Sequence, residues 1–127
     1  MPSPKDRRFS DTHEWFKVSG DVVTIGLTQY AADELTDITY VEMKPVGTVV
    51  KAGEPVGEVE SVKTTSDIYS AIAGQVVEVN AALRDDPGAL NADPFGKGWL
   101  IKIRTKDAAP LTSLMDQATY DQRHPVG

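Results

Sequence analysis

No cysteine occurs among the 127 residues, which removes disulfides, thiolate nucleophiles and cysteine-ligated metals together. Histidine is almost as scarce. Of His13 and His124, the second falls in a polar C-terminal stretch, so a histidine-built zinc or iron centre would have to draw carboxylates from scattered positions. Nineteen acidic against thirteen basic side chains leave a net charge of −6, with no cluster of Lys or Arg, a balance that disfavours nucleic acid and anionic membrane as partners. No segment approaches the ~20 apolar residues of a membrane-spanning helix. Met1–Arg8 is polar with no apolar segment behind it, so the expectation is a soluble cytoplasmic chain, or a mitochondrial matrix one only if a transit peptide has been removed.

At this length one domain is expected, with a core over 9–120 between polar ends 1–8 and 121–127. Aromatic residues make up only 7% of the chain, glycine and proline are spread along it, and the apolar runs are short. That pattern predicts a mainly β architecture of brief strands and tight turns. His13–Val18 and Val22–Leu27 read as a hairpin around Ser19-Gly20-Asp21. Thr28 can cap a short helix carrying Tyr30, Ala31, Ala32 and Leu35, which Thr36-Asp37 should stop. Further strands are expected over Ile38–Met43, Thr48–Val50, Val56–Val62, Ser66–Ile72, Gln75–Val79 and Trp99–Arg104. Residues 80–97 are too rich in turn formers for one helix or strand and should lie over the surface. Pro110 can open a C-terminal helix with Leu111, Leu114, Met115 and Ala118 on one face, followed by a fraying tail from Asp121.

The catalytic arrangements the sequence suggests are weak. Ser10, Asp11 and His13 contain the letters of a triad, but neighbours on an extended segment point to alternate faces and cannot form a relay. The glycines at Gly53 and Gly57 do not open a helix, so no phosphate-binding loop is available. Ser61 and Ser66 have no evident general base that would make this a small hydrolase or acyltransferase. Lys63 differs from these. It falls midway between the turn glycines Gly53 and Gly74, in a turn flanked by two strands, which puts its amine on a hairpin tip.

The string from Glu58 to Gly74 reads E-V-E-S-V-K-T-T-S-D-I-Y-S-A-I-A-G. With His13-Glu14-Trp15, Gly20-Asp21, Ile25-Gly26-Leu27-Thr28, Asn80, Pro94 and Gly98-Trp99-Leu100-Ile101-Lys102, it closely resembles the H protein family of the glycine cleavage system over roughly Phe9 to Tyr120. The resemblance implies a barrel-sandwich hybrid of two small sheets, with a short helix in the N-terminal half and a C-terminal helix. It implies lipoate in amide linkage to Lys63, and it assigns Glu60, Gly74 and Gly47 to the region read by the lipoate-attaching enzyme. It further implies a non-catalytic carrier that takes an aminomethyl group from a pyridoxal-phosphate-dependent glycine decarboxylase to a tetrahydrofolate-dependent aminomethyltransferase. The dithiol would then be reoxidised by the FAD enzyme dihydrolipoyl dehydrogenase. Glu14 and Asp67 are the carboxylates the resemblance suggests for holding the cargo amine, and Glu34 is a third candidate beside them.

Thr36 departs from the glycine common in that family, Ala71 from a proline, and Lys44-Pro45 reorders a proline turn. Two neighbouring readings stay open at this point: a lipoyl or biotinyl swinging-arm domain of another multienzyme complex, and an H-like protein that relays lipoate. Biotin carriers usually flank the lysine with methionine, where this chain has Val62 and Thr64.

Overall fold

Gly20 adopts φ +63 in the two-residue loop between the paired Ser19 and Val22, a primed-turn geometry that glycine reaches without strain and that matches strand twist. It joins β2 (Glu14–Ser19) to β3 (Val22–Leu27). In the computed structural model, which describes residues 4–124, these strands belong to a sheet that also contains β1 (Arg8–Phe9), β5 (Val49–Val50), β8 (Gly74–Val79) and β9 (Ile101–Arg104). The sheet order is β1-β2-β3-β9-β8-β5. A second sheet, ordered β4-β6-β7, is built from β4 (Ile38–Met43), β6 (Pro55–Ser61) and β7 (Thr65–Tyr69).

Alternation explains how the sheets meet. Val23 and Ile25 of β3, Val41 and Met43 of β4, Ile68 of β7, and Ile101 and Ile103 of β9 all turn into one shared core, joined by Val56 and Val59 of β6, which share a face because the register shifts between Pro55 and Gly57. A smaller core gathers Phe9, Trp15 and Tyr120 outside the larger sheet. Arg7 closes it from the N-terminal side, its guanidinium 4.5 Å from the Trp15 ring centroid and its Nη1 donating to the Phe95 carbonyl at 3.0 Å. Sequence patterning did not mark β1, because a two-residue strand has no period to read.

Helix α1 (Gln29–Leu35) starts as expected, with Thr28 Oγ1 accepting the Ala31 N–H at 3.2 Å. It stops at Thr36, whose φ of +61 cannot continue a helix. Three expectations need correction. Residues 80–97 do not merely cross the surface: a 3-10 turn (Ala81–Arg84) and the single turn α2 (Ala89–Ala92) drive Leu83 and Leu90 fully into the core. Nor does one helix run from Pro110 through Ala118. A 3-10 turn (Ala109–Ser113) ends at the extended Leu114, Met115 exchanges two backbone hydrogen bonds with Phe9, and Asp116 then caps α3 (Gln117–Arg123). The free edge of β1 takes Met115 out of any helix, and the Asp116 carboxylate, accepting from the Thr119 N–H, supplies a new start. The expected fraying from Asp121 therefore gives way to helix as far as Arg123, and residues 125–127 lie outside the described ones.

Candidate functional site

The turn between β6 and β7 is fastened from both sides. Ser61 N–H donates to the Thr64 carbonyl at 2.8 Å, and Ser61 Oγ accepts the backbone N–H groups of Lys63 and Thr64, each at 3.1 Å. Val62 N–H reaches the Asp37 carbonyl just beyond α1, so the tip is moored to the helix. Lys63 itself is exposed. Its Nζ donates to the Glu34 carbonyl at 3.2 Å, and no carboxylate among the described residues forms an ion pair with it. The lysine is thus an exposed side chain on a well-tied backbone.

Where Lys63 touches Glu34, a cleft of about 300 Å³ opens between α1 and β7, lined by Thr12, His13, Leu27, Tyr30, Glu34 and Ser66 among others. A neighbouring depression of about 320 Å³ shares Thr12 and exposes the edge of Glu14. Glu14 is buried at 1% exposure. Its Oε1 accepts from the hydroxyls of Ser10 and Thr12, and its Oε2 accepts the backbone N–H of Tyr69 on the sheet's edge strand at 3.1 Å. Burial pushes the carboxyl above its ordinary range, against the pull of these three donors.

Pleating separates the remaining candidates. Ser66 and Ile68 face inward on β7, whereas Asp67 faces out, opposite Glu58, into a separate cleft that also holds Glu42. The structure therefore brings Glu34 to Lys63 and Glu14 to β7, but does not bring Asp67 beside Glu14. Glu60 stands on β6 three residues before Lys63 and opposite Thr65. Gly74 opens β8 in the other sheet, beyond the end of β7 remote from Lys63, where a Cβ would overlap the Arg104 carbonyl. Gly47, at φ +98, donates its N–H to Val76 on that same strand. The two glycines lie together and apart from Glu60.

Sequence reasoning missed Ser10 and Thr12 as partners of Glu14 because it treated this stretch as extended. Ser10–Glu14 is a turn, closed by Ser10 N–H on the Glu14 carbonyl and by His13 N–H on the Ser10 carbonyl. Ser10 bonds Glu14 and His13 bonds Tyr120, so no serine–histidine relay forms. The available signal was local: two hydroxyl residues within four positions before a glutamate.

Comparison with known proteins extends these observations to the whole chain. The family model described as Glycine cleavage H-protein matches residues 7–125. The glycine cleavage system H protein of Thermus thermophilus is 48% identical over 122 residues, covering 96% of this chain and 95% of that one. Its counterpart from Acinetobacter baumannii is 49% identical over 121 residues, covering 95% and 98%. The crystal structure of the H protein from Mycobacterium marinum superposes with a TM-score of 0.88 at 37% identity, covering 98% of this chain and all of that one. None of these relatives is named as a biotinyl or oxoacid-dehydrogenase domain. With its moored lysine tip, its two-sheet sandwich and end-to-end likeness to these relatives, the chain belongs to the glycine cleavage H-protein family.

Proposed function

We propose that this protein is the lipoyl-lysine carrier of a glycine cleavage system, with lipoate joined in amide linkage to Lys63. The observation that carries the reading is an exposed primary amine, free of any carboxylate partner among the described residues, rooted at the rim of a cleft beside a buried carboxylate. Lys63 fits the group: acylation needs only the loss of one surface hydrogen bond to the Glu34 carbonyl. The apolar wall of Leu27, Tyr30, Ala31 and Leu35 suits an aliphatic arm.

When bound, lipoate supplies a disulfide that interconverts with a dithiol and so carries the aminomethyl cargo. The chain's own residues bind and shield that cargo. The wall of α1 keeps water away, and Glu14, as a carboxylate, holds the cationic amine by a charge-assisted hydrogen bond. Glu34 adds negative potential at the rim. Asp67, turned to the outer face, contributes field rather than contact. The partners are the pyridoxal-phosphate glycine decarboxylase, the aminomethyltransferase and dihydrolipoyl dehydrogenase, together with a lipoate-attaching enzyme that reads Glu60, Gly74 and Gly47. The chain supplies no catalytic residue of its own.

The test is intact mass spectrometry after incubation with a lipoate ligase, comparing the parent with Lys63→Arg, which keeps the charge but cannot form the amide. A lipoyl mass increase confined to the parent is expected. Addition of biotin by a biotin ligase, or lipoylation of the variant, overturns the reading.

A further inference from the structure

One residue of the cleft wall takes no part in holding the arm or its cargo. His13 sits in the turn between β1 and β2 at φ +71, its carbonyl accepting the Thr28 N–H at 3.0 Å. Its ring lines the same cleft as Glu34 and Ser66. The imidazole centroid lies 4.9 Å from that of Tyr30 and 4.7 Å from that of His124, the latter nearly perpendicular. Its Nδ1 is 2.8 Å from the Tyr120 hydroxyl, which is 2.7 Å from Thr28 Oγ1. One imidazole therefore joins the cleft wall to the C-terminal helix.

The proton order in this chain follows from burial. Thr28 has no exposed surface and its Oγ1 already accepts the Ala31 N–H, so its hydroxyl hydrogen has only the Tyr120 oxygen to go to. Tyr120 must then donate to His13 Nδ1, which leaves the imidazole hydrogen on Nε2. A protonated ring would carry hydrogen on both nitrogens and could not accept from Tyr120.

We propose that His13 is a proton-operated gate on the cleft: neutral, it accepts the Tyr120 hydroxyl hydrogen and fastens α3 to the cleft wall; protonated, it can no longer accept that hydrogen, which weakens the tie to α3 and sets a cation beside the cargo amine. This rests on the cleft being the shelter of the cargo. The groups facing the ring are Asp11 in its own turn, Tyr30 and Glu34 from α1, Tyr120 on α3 and His124 at its end. Burial, then His124, holds the imidazole below its ordinary value, with Asp11 and Glu34 opposing. Burial pushes Tyr120 up to about 12, so it remains a donor throughout. A depressed histidine contributes its full stability above its unfolded value of about 6.5 and loses it as pH falls through the folded one. The gate therefore opens on the acid side of neutrality.

The experiment has two parts. In the unmodified full chain, imidazole NMR titration and amide hydrogen exchange are followed from pH 8 down to about 5. His13 should appear as the Nε2–H tautomer, and exchange of α3 amides should rise roughly tenfold as it protonates. Tyr120→Phe should move the His13 midpoint upward, and His13→Asn, which tolerates positive φ, should abolish the pH dependence of exchange. An Nδ1–H tautomer, or α3 exchange that ignores the titration, overturns the gate. In the lipoylated protein carrying its cargo, cargo lifetime should shorten several-fold across the same pH interval, beyond the trend shown by His13→Asn. If Glu14→Gln shortens the lifetime while His13→Asn keeps the parent's pH profile, the gate is wrong and the shelter stands. If neither substitution changes the lifetime at any pH, the shelter itself is wrong.

Discussion

Glu14 and Tyr69 bridge the two sheets: a buried carboxylate at the start of β2 accepts the backbone N–H of the edge strand β7 at 3.1 Å. This one contact satisfies a sheet edge and leaves an acidic group at the bottom of a depression at the end of β7 remote from the lysine tip. Because burial raises the Glu14 carboxyl above its usual 4.5, ionising it opposes folding as pH climbs from about that value through the folded one. Glu14→Gln removes the titration. Urea unfolding at a series of pH values should show the variant gaining on the parent as pH rises above about 4.5, and a difference that is flat or falls with pH would contradict the assignment. The cargo lifetime of the loaded carrier should shorten in the same variant, whereas Asp67→Asn should change it less.

Thr36 is a β-branched residue at φ +61 and ψ −144, a region that only glycine enters freely. Replacement by glycine should stabilise the protein by about 1 kcal/mol, the relief of strain outweighing the added flexibility of the unfolded chain. A rise in the urea midpoint with unchanged slope is the readout.

Gly74 and Glu60 separate structure from recognition. A Cβ at Gly74 meets the Arg104 carbonyl and the Ile103 side chain, so Gly74→Ala should destabilise by about 1–3 kcal/mol through overpacking. Glu60 is half-buried on the face of β6 opposite Val59, and Glu60→Gln should leave stability within about 0.5 kcal/mol. If the charge at Glu60 is read by the lipoate-attaching enzyme, the rate of lipoylation should fall in that variant while its unfolding curve overlays the parent's.

Ser61 organises the tip with a single oxygen that accepts two backbone N–H groups. Ser61→Ala should cost about 1 kcal/mol locally, seen as faster hydrogen exchange at Lys63 and Thr64 with little change in global unfolding. Equal protection in the two proteins would mean that the turn holds its shape without that oxygen.

The strands and the lysine tip were legible because they depend on local rules: alternation in Val23, Ile25 and Leu27, the Thr28 cap, and turn glycines set about Lys63. The meeting of Tyr69 with Glu14 was not legible, since it joins positions 55 residues apart through a side chain reaching an edge strand, whereas Ser10 and Thr12 left a local signal. The helix expected through Met115 failed for the same physical reason. Its period was acceptable, but a two-residue strand far away in sequence competed for the Met115 backbone and won. Asp67 shows the reverse case: the alternation along β7 was readable in advance and puts that carboxylate on the face opposite Ile68.

The position of β9 between β3 and β8 sets a schedule for biosynthesis. The N-terminal hairpin emerges from the ribosome with one flank unsatisfied and must wait until residues 101–104 clear the exit tunnel before its neighbour arrives. A nascent chain stalled before that point holds the larger sheet in two pieces, β1-β2-β3 and β8-β5, with open edges, the species on which chaperones act and from which aggregation starts. Completion is then governed by closing long loops, which places this protein among the slower folders of its size.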